Sequence, residues 1–270
     1  MHFGAALRLL RVDAGISLRG LAEQVGVSSA YLSRVENGHD APPTADRLVA
    51  LAEAIGIPAS LLVGLTDRVS PTIADYRARV PAANALFHAI AQRDLTTAQL
   101  AKVQSFLDAE FPVRGGAPTE ARIAPLLARG GVVTEVVCTE LDDLLDVLAA
   151  RLARATGVPA ASLARALRER EHVASTMVAA GMAVPHAIVP GVSPTAVLAI
   201  LRKPLAADTP DGLPFRAAFG VVHPYDPREL LALLGHLVTL AREDVVDYLA
   251  TSRDPRRALV WVESNGWRRG

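Results

Sequence analysis

The chain has one cysteine, Cys138, among its 270 residues. An intramolecular disulfide is therefore impossible, and a cytosolic home fits. A lone Cys in such a chain reads as a small buried hydrophobe. Lysine is nearly absent, with Lys102 and Lys203 the only two, so arginine carries almost all the positive charge. Aromatic residues make up 4% of the chain, which leaves Ala, Leu and Val to build the core. Net formal charge is zero, so no global charge draws the chain to nucleic acid or to a membrane. No apolar run approaches the roughly 20 residues a membrane helix needs. The N-terminus lacks the charged-then-apolar pattern of a secretion signal, and the expected location is cytoplasmic.

What is present divides into three. Residues 1–66 carry compact helical patterns, residues 67–130 a more broken helical segment and a linker, and residues 131–270 alternating strands and helices. The expected class is multidomain: an all-α N-terminal domain, a helical middle segment and an α/β C-terminal domain with helices flanking a sheet. In the middle, Thr96 and Gln99 form a capping-box start for a helix to about Ala109. Leu100, Val103 and Leu107 share one face of it, and Leu86, Phe87 and Ile90 line an earlier helix. These faces read as a spacer packed on a neighbour or as a dimer contact. The Gly-Gly-Ala-Pro run after Val113 reads as linker.

In the first region the spacing predicts a helix over Phe3–Ala14, ended by Gly15. Ser17 caps a second over Leu18–Val25, and Ser28 caps a third that runs to about Asn37. Ala22 is small where helices must touch, and Gly26 falls where the turn needs positive φ. Two short helices joined by a tight glycine turn make a helix-turn-helix. Further helices are expected over Thr44–Ile55 and Ala59–Val63. The order, with Ser28, Tyr31, Leu32, Ser33, Glu36 and Gly38 in the S-x-x-Y-L-S-x-x-E-x-G run, resembles the lambda-repressor/Cro-like (XRE) family. That resemblance implies double-stranded operator DNA as a partner. Ser28, Ser29, Ser33 and Arg34 would face base edges, with Asn37 nearer the backbone. Arg34 would take a guanine edge with its fork, or else pair with Glu36 or another carboxylate. The family's opening Gln is Leu18 here. Residues 1–65 also carry five Arg against six Asp and Glu. Phosphate neutralisation is therefore weak, and a homodimer is expected to reach useful affinity.

In the last region, strands are expected near Val132–Val137, Val173–Met177, Met182–Val184, Val197–Leu201 and Ala217–Val222. Helices are expected from Thr139 or Glu140, over Ala160–Arg170, over Leu230–Ala241 and in two later stretches, Val245–Ala250 and Pro255–Val262. Glu171, Val178, Ala179, Met182, Ala183, Val184, Pro185, His186 and Ala187 match the phosphorylation signature of the sugar phosphotransferase enzyme IIA proteins of the fructose/mannitol class, and the chain resembles that domain over about residues 131–263. The resemblance implies a phosphoryl acceptor at His186, an assisting cation at Arg170 and a phosphocarrier partner of the HPr type. The chemistry needs one ring nitrogen held by an acceptor and the other bare, open to solvent beside a guanidinium. Many relatives carry a second histidine where Leu230 stands. His223, at a strand end, either replaces it or is structural, and His236 reads as structural. No metal or cofactor is expected.

These readings meet in a DNA-binding regulator whose C-terminal domain accepts phosphate on His186 and so modulates DNA binding. Two others stay open: an enzyme IIA component that relays phosphate onward, or a regulator whose IIA-like domain senses without being phosphorylated.

Overall fold

The computed structural model describes residues 3–66, 71–95, 97–111, 123–179, 181–205, 209, 212–240, 248–249, 254–256 and 258. The Thr96 cap, the Gly-Gly-Ala-Pro linker and most of the two expected late helices lie outside them.

Five helices form the head: α1 (Phe3–Asp13), α2 (Leu18–Val25), α3 (Ser29–Glu36), α4 (Ala45–Ile55) and α5 (Ala59–Gly64). Their limits follow local chemistry. The Ser17 and Ser28 hydroxyls accept from the backbone N–H groups of Gly20 and Tyr31, satisfying donors that a helix start leaves orphaned. Gly26 closes α2 at φ 69°, a left-handed conformation that costs glycine little. Leu7, Leu10, Leu21, Leu32, Leu48 and Leu62 are buried at the head's centre. A second contribution is ionic. Arg11 Nε and Nη2 donate to the two oxygens of Glu36 at 2.6 and 2.9 Å, and Nη1 donates to the Ile16 carbonyl. This pair, only 10% and 5% exposed, fastens α1 to α3.

Three helices follow: α6 (Pro71–Arg79), α7 (Ala82–Gln92) and α8 (Thr97–Glu110). Here Leu86, Phe87, Leu100, Phe106, Leu107 and Phe111 are exposed.

The last body is a layered α/β domain. After α9 (Ile123–Gly130) come β1 (Val132–Val136), α10 (Leu141–Thr156), α11 (Ala160–Val173), β2 (Met177–Ala179), β3 (Met182–Ala183), β4 (His186–Ile188), β5 (Thr195–Leu205), β6 (Phe215–His223) and α12 (Pro227–Leu240). The sheet runs β1-β5-β6-β3-β2, with β4 also on β6. Val173 ends α11 instead of opening a strand. β3 and β4 lie along one edge of β6 in line, with Met182 opposite Ala217 and His186 opposite Val221. Pro185 separates them; without an N–H it cannot donate to the ladder, and its carbonyl accepts from Val221 N instead. His186, just beyond the strand expected over Met182–Val184, is the first residue of a strand of its own.

Two cores flank the sheet. α10 and α11 pack on the face that carries Val197, Ala199 and Val222. The other face, with Met182, Val184, Leu198 and Val221, packs into a core that includes α12 and continues without a break into the head. There α1 rests on β2 and α12, and α5 rests on α12. Gly235 lets the last two close: a Cβ placed on it would lie 3.0 Å from Leu61 Cδ1. No described helix is long and apolar enough to cross a membrane.

Candidate phosphoacceptor and DNA-reading sites

His186 stands at the junction of these bodies. Side chains alternate along a strand, so its ring shares the face of Met182 and Val184, towards α12 and the head. Nδ1 lies 2.8 Å from the Val184 carbonyl oxygen, which can only accept. Nδ1 therefore carries the hydrogen, and Nε2 is the nitrogen left for chemistry. The carbonyl itself is held in place by a relay that begins at Glu171. Its carboxylate accepts from Thr176 N and Oγ1, at 3.1 and 2.5 Å. The Thr176 carbonyl in turn accepts from Val184 N at 2.9 Å. The acidic residue of the sequence signature thus fixes the turn that aims the imidazole.

Arg170, in the last turn of α11, brings Nε to 3.1 Å from His186 Nε2, and its Nη1 donates to the Ala174 carbonyl. The guanidinium expected beside the ring is there. The expected opening to solvent is not: His186 is 1% exposed. The cover is Asp13, the last residue of α1. Its Oδ1 lies 2.9 Å from Nε2, and its two oxygens receive the Arg170 fork at 2.8 and 2.9 Å. Nε2 can donate to Asp13 or accept from Arg170, never both at once.

Burial acts to raise the Asp13 pKa, but hydrogen bonds from His186 and Arg170, with their charge, outweigh it and hold the carboxyl below its ordinary 3.8. A lowered value means that its contribution is complete above 3.8 and is lost only as pH falls through the lowered value. Asp13 is thus a carboxylate at neutral pH.

His223 is buried and pairs elsewhere, its Nδ1 against the Pro224 carbonyl and its Nε2 3.6 Å from Glu229. No hydrogen bond joins it to His186 among the described residues. Leu230 is buried in α12. Burial pushes His236 down to about 4, which keeps it neutral. Cys138 is half-buried, and burial raises its thiol pKa. The described residues hold no group of three or more metal-ligating side chains.

On the head, Ser28, Ser29, Arg34 and Asn37 are exposed and Ser33 is half-buried. They lie on or beside α3, which packs on α1 and α2. The Ser28 hydroxyl is occupied as a cap, and Asn37 Nδ2 donates to the Ser33 carbonyl at 2.8 Å. Glu36 faces inward to Arg11, so Arg34 turns to Asp40, with Nε 3.1 Å from both oxygens and Nη2 2.8 Å from Oδ1. Asp40 therefore occupies the fork that the sequence reading offered to a guanine edge. Replacing Arg34 with Ala is expected to weaken operator binding by roughly 10- to 100-fold, while Asp40→Ala strengthens it by releasing the guanidinium. Fluorescence anisotropy on labelled duplex checks both signs. Equal losses in the two variants would mean that the pair only stiffens the loop.

A helical head carrying a helix-turn-helix, leaning on an α/β sandwich with a His–Arg pair at a strand start, defines a two-part chain. Residues 126–264 match the family model "Phosphoenolpyruvate-dependent sugar phosphotransferase system, EIIA 2", and the chain belongs to that family. Residues 2–63 match the family model "Helix-turn-helix domain". Among curated proteins, the chain is similar over 77 residues to the propionyl-CoA carboxylase regulator of Cereibacter sphaeroides, 35% identical, or 28% of this chain and 16% of that one. It is also similar to the HTH-type transcriptional repressor RghR of Bacillus subtilis, 43% identical over 56 residues, or 21% of this chain and 42% of that one. The chain spans less than half the length of these relatives. Among solved structures, the nitrogen regulatory protein IIA-Ntr of Neisseria meningitidis is similar at TM-score 0.48 and 24% identity, covering 51% of this chain and 97% of that one. IIA mannitol of Escherichia coli is similar at TM-score 0.40 and 19% identity, covering 48% and 96%.

Proposed function

We propose that the protein is a DNA-binding transcription regulator whose IIA domain takes a phosphoryl group on Nε2 of His186 from an HPr-like phosphocarrier. The observation that supports this reading is the Nδ1–H held by the Val184 carbonyl, which leaves Nε2, between Arg170 and Asp13, as the nitrogen free to change partners. In the transfer, the lone pair of Nε2 attacks phosphorus. The bond from phosphorus to the carrier's imidazole breaks, its electron pair returns to that ring, and any hydrogen on Nε2 has first left to water. Nδ1 keeps its hydrogen throughout. Arg170 offers two N–H donors to the moving oxygens, a preformed cation where negative charge gathers.

Operator binding is assigned to α3, and the exposed apolar faces of α7 and α8 to contact with a second copy. Exposed Leu86, Phe87, Phe106 and Phe111 support that assignment, because a stable monomer seldom leaves so many large apolar side chains in water. A homodimer would also bring two heads to two half-sites.

Labelled phosphoenolpyruvate, enzyme I and a phosphocarrier test the phosphoryl step, with His186→Ala as control. Label that stays on His186 and is lost in the control is the expected result. Label that passes on to a sugar would replace this reading with a relay enzyme. Its absence would leave a sensing domain that is never phosphorylated.

A further inference from the structure

The Asp13 carboxylate does to Arg170 and Nε2 what a phosphoryl group would do. Its two oxygens fill the guanidinium fork at 2.8 and 2.9 Å, and one of them lies 2.9 Å from the ring nitrogen. A phosphorus bonded to Nε2, with three oxygens around it, would need that same space and that same fork. It would also add about −1.5 to −2 of charge against a carboxylate already ionised.

From this geometry we infer that Asp13 closes the phosphoacceptor site from within, so that the docked head and the phosphorylated histidine exclude one another. The head is thereby a competitor of the phosphocarrier for one surface of the IIA domain, and phosphorylation frees it. This rests on the phosphoacceptor reading given above.

Three features support a docking surface with a defined occupant. Asp13 sits at the C-terminal end of α1, where the helix dipole disfavours a carboxylate. A cation offsets that cost, and Arg170 from the other domain supplies it. The apolar core runs on beneath the ion pair, from Leu7 and Leu10 of the head into Leu231 and Leu234 of α12. Finally, Ser28, Ser29, Arg34 and Asn37 on and beside α3 stay exposed with the head docked, so the proposed reading face is not what the dock covers. Release acts on where the head can go, and so on whether two heads can reach two half-sites together.

The test uses the full chain and two variants that disturb the dock by unrelated means. Asp13→Asn keeps the shape and removes the charge. Gly235→Phe leaves His186, Arg170 and Asp13 untouched and drives a ring from α12 into Leu61 of α5. Labelling of His186 by the phosphorylated carrier is timed in each, with circular dichroism melts to establish that the variants fold. Both variants are expected to label at least about tenfold faster than the parent, because the share of molecules with an open site limits the parent's rate. Hydrogen exchange in α1 and α12 of the parent should rise on phosphorylation and be raised already in both variants. If the parent and both variants label at one rate, with exchange unchanged by phosphate, the plug is wrong while the acceptor stands. No label in any of them overturns the acceptor reading, and this inference with it.

Discussion

Arg170→Met is expected to cut phosphoryl capture on His186 by about 100- to 1,000-fold, because a preformed donor set aimed at developing charge contributes on that scale. The same substitution leaves the buried Asp13 with His186 alone as its hydrogen-bond partner of the pair. Breaking a buried pair from one side costs about 3–5 kcal/mol, and here that cost falls on the contact between head and IIA domain. The head should therefore leave the IIA domain as capture fails. Two effects with opposite consequences for access arise from one residue, and the pair of measurements separates them. Hydrogen exchange reports an opened α1, and timed labelling reports a lost cation. Should Arg170→Met label as fast as Asp13→Asn, the guanidinium serves the dock alone and has no part in transfer.

Glu36→Ala should be the most damaging change in the head. It strands the Arg11 guanidinium, 10% exposed, between α1 and α3. At about 3–5 kcal/mol the loss is comparable to the whole stability of a domain this small, so most of the head unfolds at physiological temperature. The double replacement Arg11→Met with Glu36→Leu removes both charges and fills the volume, and it should recover most of the loss. Thermal melts followed at 222 nm decide. A single variant that melts within a few degrees of the parent would show the pair to be dispensable.

What the sequence made legible was local. Ser17, Gly26 and Ser28 announce α2 and α3 to within a residue because each acts on backbone groups two to four positions away. The IIA-like signature placed His186 and Arg170 side by side because both lie within one short stretch of chain. What stayed hidden was set by distant partners. Asp13 and Arg170 are separated by 157 positions, and nothing within α1 says which domain answers its carboxylate. The one available signal was the misplaced sign, an acid at the negative end of a helix. Glu36 reads as a family position, but its burial against Arg11 depends on how α1 crosses α3. The strand at His186–Ile188 escaped notice because three residues after a proline carry no periodicity, and only pairing with Val221–His223 makes them a strand. The expectation of an open imidazole treated the IIA domain as if it stood alone.

Pro185 has one more consequence. It makes the edge strand begin anew at His186, and His186, Ala187 and Ile188 are each matched one to one with β6. The imidazole is a fixed post, anchored by a ladder and not carried on a loop. The ring is not carried aside by a loop to admit a visitor, so the proposed control falls to the neighbour that leans on it. In the proposed mechanism the gate is the head itself, docked or released.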